Sequence, residues 1–351
     1  MTLGAVVMPN GLPDPTMPVP GEIIVVESIH QPTSYRLSYG FAIETGDFPL
    51  LTDDAIAPET ILAIAINGDL LPNILVSGPV VRHEISITHG GEGSTLDVIG
   101  MDKKIEMDRE DKVRIWSNQL DSTVVMSVLS EYAIVPDVEV TATLHTDLKH
   151  ALVQRESDLR FVQRLARRNG YWFWLTEEAP GVTIGHFKKP PVNDSASLDL
   201  RINVSDPNVD AVSIVWDVER PTSTSVSQLD LNSLNNIDGS VQQPTLTGLA
   251  SHDLSTIVNS TRQSHIAVPV DDAGDLTSRS ESLLIENGWF IRASLSVKKS
   301  KLHDVVRAHQ VVSLTGAGLR HSGNYLVSRV QHVINPDDHI MEVELIRNAW
   351  N

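Results

Sequence analysis

The chain contains no cysteine. Disulfides, thiolate zinc sites and cysteine nucleophiles are therefore excluded, and stability has to come from packing or assembly. Long apolar runs are also missing. The longest lies near Ile61 to Ile66, far short of the ~18 residues a membrane-spanning helix needs. The opening stretch, MTLGAVVMPNGLPDPTMPVPGE, has five prolines, no basic residue and no apolar core of signal-peptide length. It reads as an extended arm with neither secretion nor membrane insertion encoded. Positive charge is scarce, with Lys and Arg at 27 against 45 Asp and Glu and a formal charge of −18. Phosphate neutralisation by cations supplies most non-specific nucleic-acid affinity, so a general nucleic-acid binder is disfavoured; the surplus also serves solubility.

Aromatics are rare as well, at 5% of 351 residues. Five of them (Phe161, Tyr171, Trp172, Phe173 and Trp174) nevertheless crowd into RESDLRFVQRLARRNGYWFWL, residues 155 to 175. Ser157 is a plausible N-cap and Gly170 a plausible C-cap. Between them Leu159, Phe161, Val162, Leu165 and Ala166 form one helical stripe, while Arg160, Arg164, Arg167 and Arg168 fall on the opposite side. The arginine stripe reads either as a solvated face or as a docking surface for an acidic partner, whether another copy or a different protein. In the strand that follows, Tyr171, Phe173 and Leu175 point one way and Trp172 and Trp174 the other. Core filling between helix and strand is the expected role of Phe161, Leu165, Tyr171, Phe173 and Trp174.

Strand patterns occupy both ends of the chain. Tyr35, Leu37, Tyr39, Phe41 and Ile43 alternate with Arg36, Ser38, Gly40, Ala42 and Glu44, the period of a strand with one buried face. Asn67-Gly68 and Gly90-Gly91 lie at hairpin positions. Around 110 to 187 the period changes, with Asp121 or Ser122 placed to cap a helix carrying Val124, Val125, Val128, Leu129 and Tyr132. Beyond Pro190 strands return. About half of residues 222 to 262 are Ser, Thr, Asn or Gln, a composition that cannot found a core, before a helix near Leu276 to Glu286 and four closing strands.

These patterns predict a mainly β fold: an arm (1–21), an antiparallel sheet or small barrel (22–109), a mixed α/β middle domain (110–190) and a second set of strands (191–351) with a long polar insertion around 222–275. No nucleotide loop, GxSxG elbow or HExxH is present. GAGLRHSG runs directly into a strand pattern and reads as a β-turn, NPDDH as a polar turn, and the 13 histidines show no ligand spacing. NVS and NST fit the glycosylation pattern by chance. No catalytic residue, metal or cofactor is expected.

The segment VQRESDLRFVQRLARRNGYWFWL resembles one in phage late control protein D and VgrG-type baseplate hubs. Gln154, Glu156, Ser157, Asp158, Phe161, Arg164, Leu165, Gly170, Tyr171 and Phe173 match in order. LDVIGMDKKIE resembles the element closing the first barrel of these hubs, VRIWSNQLDSTVVMSVLSEYAI the strand and helix after it, and GNYLVSRVQHVI the penultimate strand of the second barrel. AIVP follows Tyr132 where the hubs usually show glycine, and the chain stops at Asn351 without the spike of VgrG proteins. The resemblance implies a non-enzymatic hub alone, with tube-like antiparallel β-barrel domains at 22–109 and 191–351 flanking the mixed α/β domain: a homotrimer whose six barrels surround a channel. Such a ring joins a hexameric tail tube, or a tube-initiator protein, to a trimeric spike, and also touches baseplate wedge proteins. Its place would be a virion tail or tail-like particle assembled in the bacterial cytoplasm. A tail-associated β-rich cell-wall hydrolase, marked by a cleft with paired carboxylates of separated pKa, is the enzymatic alternative. A monomeric carbohydrate-binding module would need exposed aromatics on a sheet face, and the scarcity of aromatics outside residues 155 to 175 disfavours it.

Overall fold

The computed structural model describes residues 4–41, 49–66, 73–147, 151–229, 234–258, 260–266 and 273–351. The protein is mainly β. Strands from residues 5–101 and 198–347 form one large sheet. Its order is Ala5–Pro9, Ile61–Ile66, Asn73–Ser86, Ser94–Met101, Ser34–Phe41, Glu22–Ser28, Gly323–Ile334, His339–Arg347, Ile291–Lys298 and Val212–Trp216. Val311–Thr315 also pairs with Gly323–Ile334, and Leu198–Arg201 pairs in parallel with Val311–Thr315. The two sets of strands meet where Ile23 to Ser28 pairs antiparallel with Arg329 to Ile334.

Alternation places the core. Tyr35, Leu37 and Tyr39 are buried, as are Ile23 and Val25 on the neighbouring strand and Leu96 and Val98 on the next. These side chains share one apolar cluster with Val327, Val330, Met341, Val343 and Leu345 from the last third. The Asn67-Gly68 turn lies outside the described residues, but the strands flanking it pair antiparallel from Ile66↔Asn73 to Ile61↔Pro79. Gly90 and Gly91 both adopt positive φ, at 88° and 85°, before Ser94–Met101 returns along Asn73–Ser86.

Gly78 marks a place where this sheet folds tightly on itself. A Cβ there would overlap the carbonyl of Met101 and the backbone of Asp102, neither of which can swing aside as a side-chain tip would. The Tyr35 hydroxyl donates to the Gly78 carbonyl at 3.0 Å in the buried interior. Gly78→Ala is expected to destabilise the fold by about 1–3 kcal/mol, since an added methyl in a packed interior forces backbone to move; urea unfolding measures it.

Residues between these strand sets form the middle segment. Asp111–Trp116 and Leu152–Ser157 make a two-stranded ribbon. Trp172–Ala179 and Val182–Lys188 form a hairpin, and Val135–Val138 joins the latter in parallel. Two helices, Asp121–Glu131 and Asp158–Asn169, pack on these strands around Phe161, Leu165, Tyr171, Phe173 and Phe187. The polar stretch after Trp216 is built from short strand pairs, Ser223–Ser225 with Gln263–His265 and Ser227–Leu229 with Asn236–Asp238. Its own cluster holds only Val226 and Leu276, with Ile237 and Ile266 partly covered, as so few apolar residues allow. The helix Ala273–Asn287 leads back from it to the sheet.

Candidate protein-interaction site

The arginine helix, Asp158–Asn169, has the ends its sequence implies. The Ser157 hydroxyl accepts from the Arg160 amide at 3.4 Å, and Gly170 closes the helix in the left-handed region at φ 67°. Glycine is required there for a second reason: a Cβ would press on Ile285 of the Ala273–Asn287 helix. Inside, Phe161 and Leu165 are fully buried, and Phe161 stacks on Trp116 with ring centres 6.3 Å apart.

The four arginines do not share one environment. Arg160 is largely exposed, 3.4 Å from Asp108 and 3.9 Å from Asp111. Arg164 pairs with Glu156 at 2.6 Å, donates to the Val153 carbonyl at 2.9 Å and covers the Phe161 ring. Arg167 is exposed, and among the described residues no carboxylate pairs with it. Arg168, counted on the open stripe from its helical position, is instead turned inward with 7% of its side chain exposed. Its guanidinium lies 3.0 Å from Asp275 and 3.5 Å from Asp121, and donates to His145 at 2.9 Å. The reason is tertiary: the Ala273–Asn287 helix packs beside this position and brings a carboxylate from 107 residues away. The expected capping role of Asp121 changes with it. Asp121 is the first residue of its helix, with Leu120 at the cap. Its carboxylate accepts from Asn169 at 2.8 Å and lies 2.9 Å from His145. Burial would raise Asp121, but His145, Arg168 and Asn169 hold it below its usual range.

A second network fixes the start of the helix. Asp158, fully buried, accepts from Lys112, from the Tyr132 hydroxyl at 2.7 Å and from Gln154 at 2.6 Å. Glu131 bridges Lys112 and Arg114, and its carboxyl is held at about 2, chiefly by Arg114. Gln154, Glu156 and Asp158 therefore orient the helix on its ribbon.

The aromatic strand joins the two parts of the molecule. Tyr171 and Phe173 fill the middle core. Trp174, expected in that same core, belongs to a different cluster on the opposite face: with Trp172 it packs against Trp289, Val311, Leu326 and Ile346 of the large sheet. The strand's period of two forces this division. Trp174 stacks between His309 at 4.5 Å and His186 at 4.7 Å. Burial, with Lys104 nearby, pushes His309 well below 6.5.

Two hollows flank this seam. The smaller, about 320 Å³, holds Glu27, Asp102, Lys104, Glu177, His186 and Arg307 among its walls. Burial, with Asp102 adding repulsion, pushes the Glu177 carboxyl up to about 7 although Thr183 donates to it at 2.6 Å. The larger, about 660 Å³, is a cleft between the arginine helix, the Ala273–Asn287 helix and the outer face of the sheet. Among the described residues no group of three or more acidic, histidine or cysteine side chains could hold a metal ion, and no helix is long and apolar enough to cross a membrane.

The family model for the Alg8 N-terminal domain matches residues 40–336. The chain belongs to the Alg8 N-terminal domain family. No curated protein matches its sequence. The fold is similar to that of solved tail proteins. A tail protein from Neisseria meningitidis MC58 superposes with a TM-score of 0.70 at 13% identity, covering 100% of this chain and 98% of that one. The 43 kDa tail protein of prophage MuSo2 from Shewanella oneidensis gives 0.68 at 14%, with 100% of both chains covered. An E. coli component of the type VI secretion system, described as structurally similar to bacteriophage T4 tail proteins, gives 0.60 at 14% over 97% of this chain and 76% of its own.

Proposed function

We propose that the chain is the hub of a contractile tail or tail-like injection machine, of the late control protein D and VgrG type. Three copies would form a ring, each contributing one barrel-like unit from residues 22–109 and one from 191–351, with 110–190 as the mixed domain between them. Such a ring presents near-sixfold symmetry to a tail tube or its initiator and threefold symmetry to a spike, with wedge proteins outside. The observation carrying this reading is that two tail proteins match the fold over essentially their whole lengths. The surplus of carboxylates suits a conduit, because like-charge repulsion keeps nucleic-acid cargo off the wall. Arg160, Arg164 and Arg167 would then face a neighbouring protein rather than the channel. Arg168 is left out, since its burial commits it to the chain's own carboxylates. The role is structural, and the particle that holds it is built in the bacterial cytoplasm.

Electron microscopy of the intact particle is expected to show three copies around a channel; a single copy would overturn the hub. One observation favours the cell-wall hydrolase as second reading: Glu27, held at about 2, and Glu177, raised to about 7, line the same hollow. Glu27, however, is fully engaged by Arg307 and the Ala308 amide. Peptidoglycan cleavage by the purified chain, abolished in Glu177→Gln, would establish the hydrolase instead.

A further inference from the structure

The larger cleft carries charge of the opposite sign to the molecule. Four guanidiniums, Arg167, Arg220, Arg292 and Arg329, face it against two carboxylates, Glu286 and Glu344, in a chain of net charge −18. Arg329 is satisfied by Glu344 at 3.3 Å and Arg220 lies 3.5 Å from Asp217. Arg167 and Arg292 are exposed and have no ion-pair partner among the described residues.

The floor under these two cations is regular. Val215 pairs with Arg292 and Arg292 with Ile346, so these three lie in one row across adjacent strands. Val215 is 62% exposed, so the row offers an apolar side chain beside a free guanidinium. Val212–Trp216 is the last strand of the sheet's path, and an end strand offers unpaired backbone groups to an incoming segment. Across the cleft Arg167 faces from the end of its helix, and Trp172 and Trp289 close the inner end with centroids 5.6 Å apart.

We infer that this cleft receives a carboxylate-bearing segment of a second copy of the chain, a conclusion that rests on the trimeric hub reading. The segment's carboxylate sits between Arg167 and Arg292, and an apolar neighbour lies over Val215 and Ile346. Charge selects the occupant: a chain with 45 acidic and 27 basic residues repels itself over most of its surface, so copies associate where unpaired arginines meet the surplus carboxylates.

The test places a photo-cross-linking residue in the cleft wall, Gln163→p-benzoylphenylalanine, within assembled particles, and identifies the linked peptide by mass spectrometry. An acidic peptide of this same sequence is expected. Adding Arg167→Glu and Arg292→Glu should cut its yield by about tenfold or more, as for opposed charges reversed at an interface, while the urea midpoint of the isolated chain stays put. Linkage to a different protein, to nothing, or in undiminished yield in the charge-reversed variant overturns the inference. Three copies around a channel with this cleft uncovered would sink the inference and leave the hub standing; a particle without a threefold ring would sink both.

Discussion

Phe161→Ala is expected to lower stability by about 3–5 kcal/mol, the range for removing a fully buried aromatic ring. The ring is 0% exposed, stacks on Trp116 and lies beneath Arg164. It joins the arginine helix to the ribbon and to the cluster of Leu165, Tyr171 and Phe187. The helix cannot close the space by shifting, because Asp158 at its start is tied to Lys112, Tyr132 and Gln154 and Gly170 at its end abuts Ile285. Urea unfolding followed by tryptophan fluorescence measures the loss. Arg160→Ala on the same helix is the control, since an exposed ion pair contributes only ~0–1 kcal/mol. Equal effects of the two changes would show that the Phe161 cluster is not what holds the middle segment.

Glu27→Gln is expected to cost a similar amount, about 3–5 kcal/mol at neutral pH, because it strands a largely buried guanidinium. Arg307 donates to Glu27 at 2.6 Å, to Asn73 at 2.8 Å and to the carbonyls of Ile74 and Leu75, each at 3.0 Å. The Ala308 amide donates to the other Glu27 oxygen at 3.0 Å, and His332 lies 3.4 Å away. Burial would raise the Glu27 carboxyl, but Arg307, His332 and the Ala308 amide outweigh it and hold the group at about 2, below its ordinary 4.5. A carboxyl with a depressed folded pKa contributes stability that is fully present above its unfolded value and lost as pH falls through the folded one. The advantage of the natural protein over Glu27→Gln should therefore hold from pH 7 down to about 4.5 and shrink between there and pH 2. A gap that stays constant from pH 6 to pH 3 would assign the loss to packing rather than to charge.

These two residues show how unevenly the molecule can be read from its sequence. Phe161 was legible because its neighbours in the core lie at helical spacing, Leu165 one turn on, and because Ser157 and Gly170 mark the ends of the helix. Glu27 was not. Its partner Arg307 is 280 positions away in the chain, and nothing in the local pattern of either residue refers to the other. Arg168 is a parallel case: helical spacing places it on the arginine stripe, and Asp275, 107 residues on, turns its guanidinium inward. Glu177, with one oxygen buried and unpartnered in a hollow between segments, carried no signal beyond being an acidic residue on a strand.

By itself the sequence determined the local geometry: which stretches alternate as strands, where one helix begins and ends, and that Tyr171 and Phe173 face away from Trp172 and Trp174. Each of these follows from backbone periodicity and capping chemistry that act within about one turn or strand. Only the tertiary structure decided that the strands at the two ends of the chain join into one sheet through Glu22–Ser28 and Gly323–Ile334. It also decided that the second face of the aromatic strand is covered by that sheet, and that Arg167 and Arg292, far apart in the chain, line the same cleft. Those pairings depend on the free energy of burying apolar surface and matching charge between distant segments, which a local pattern does not record.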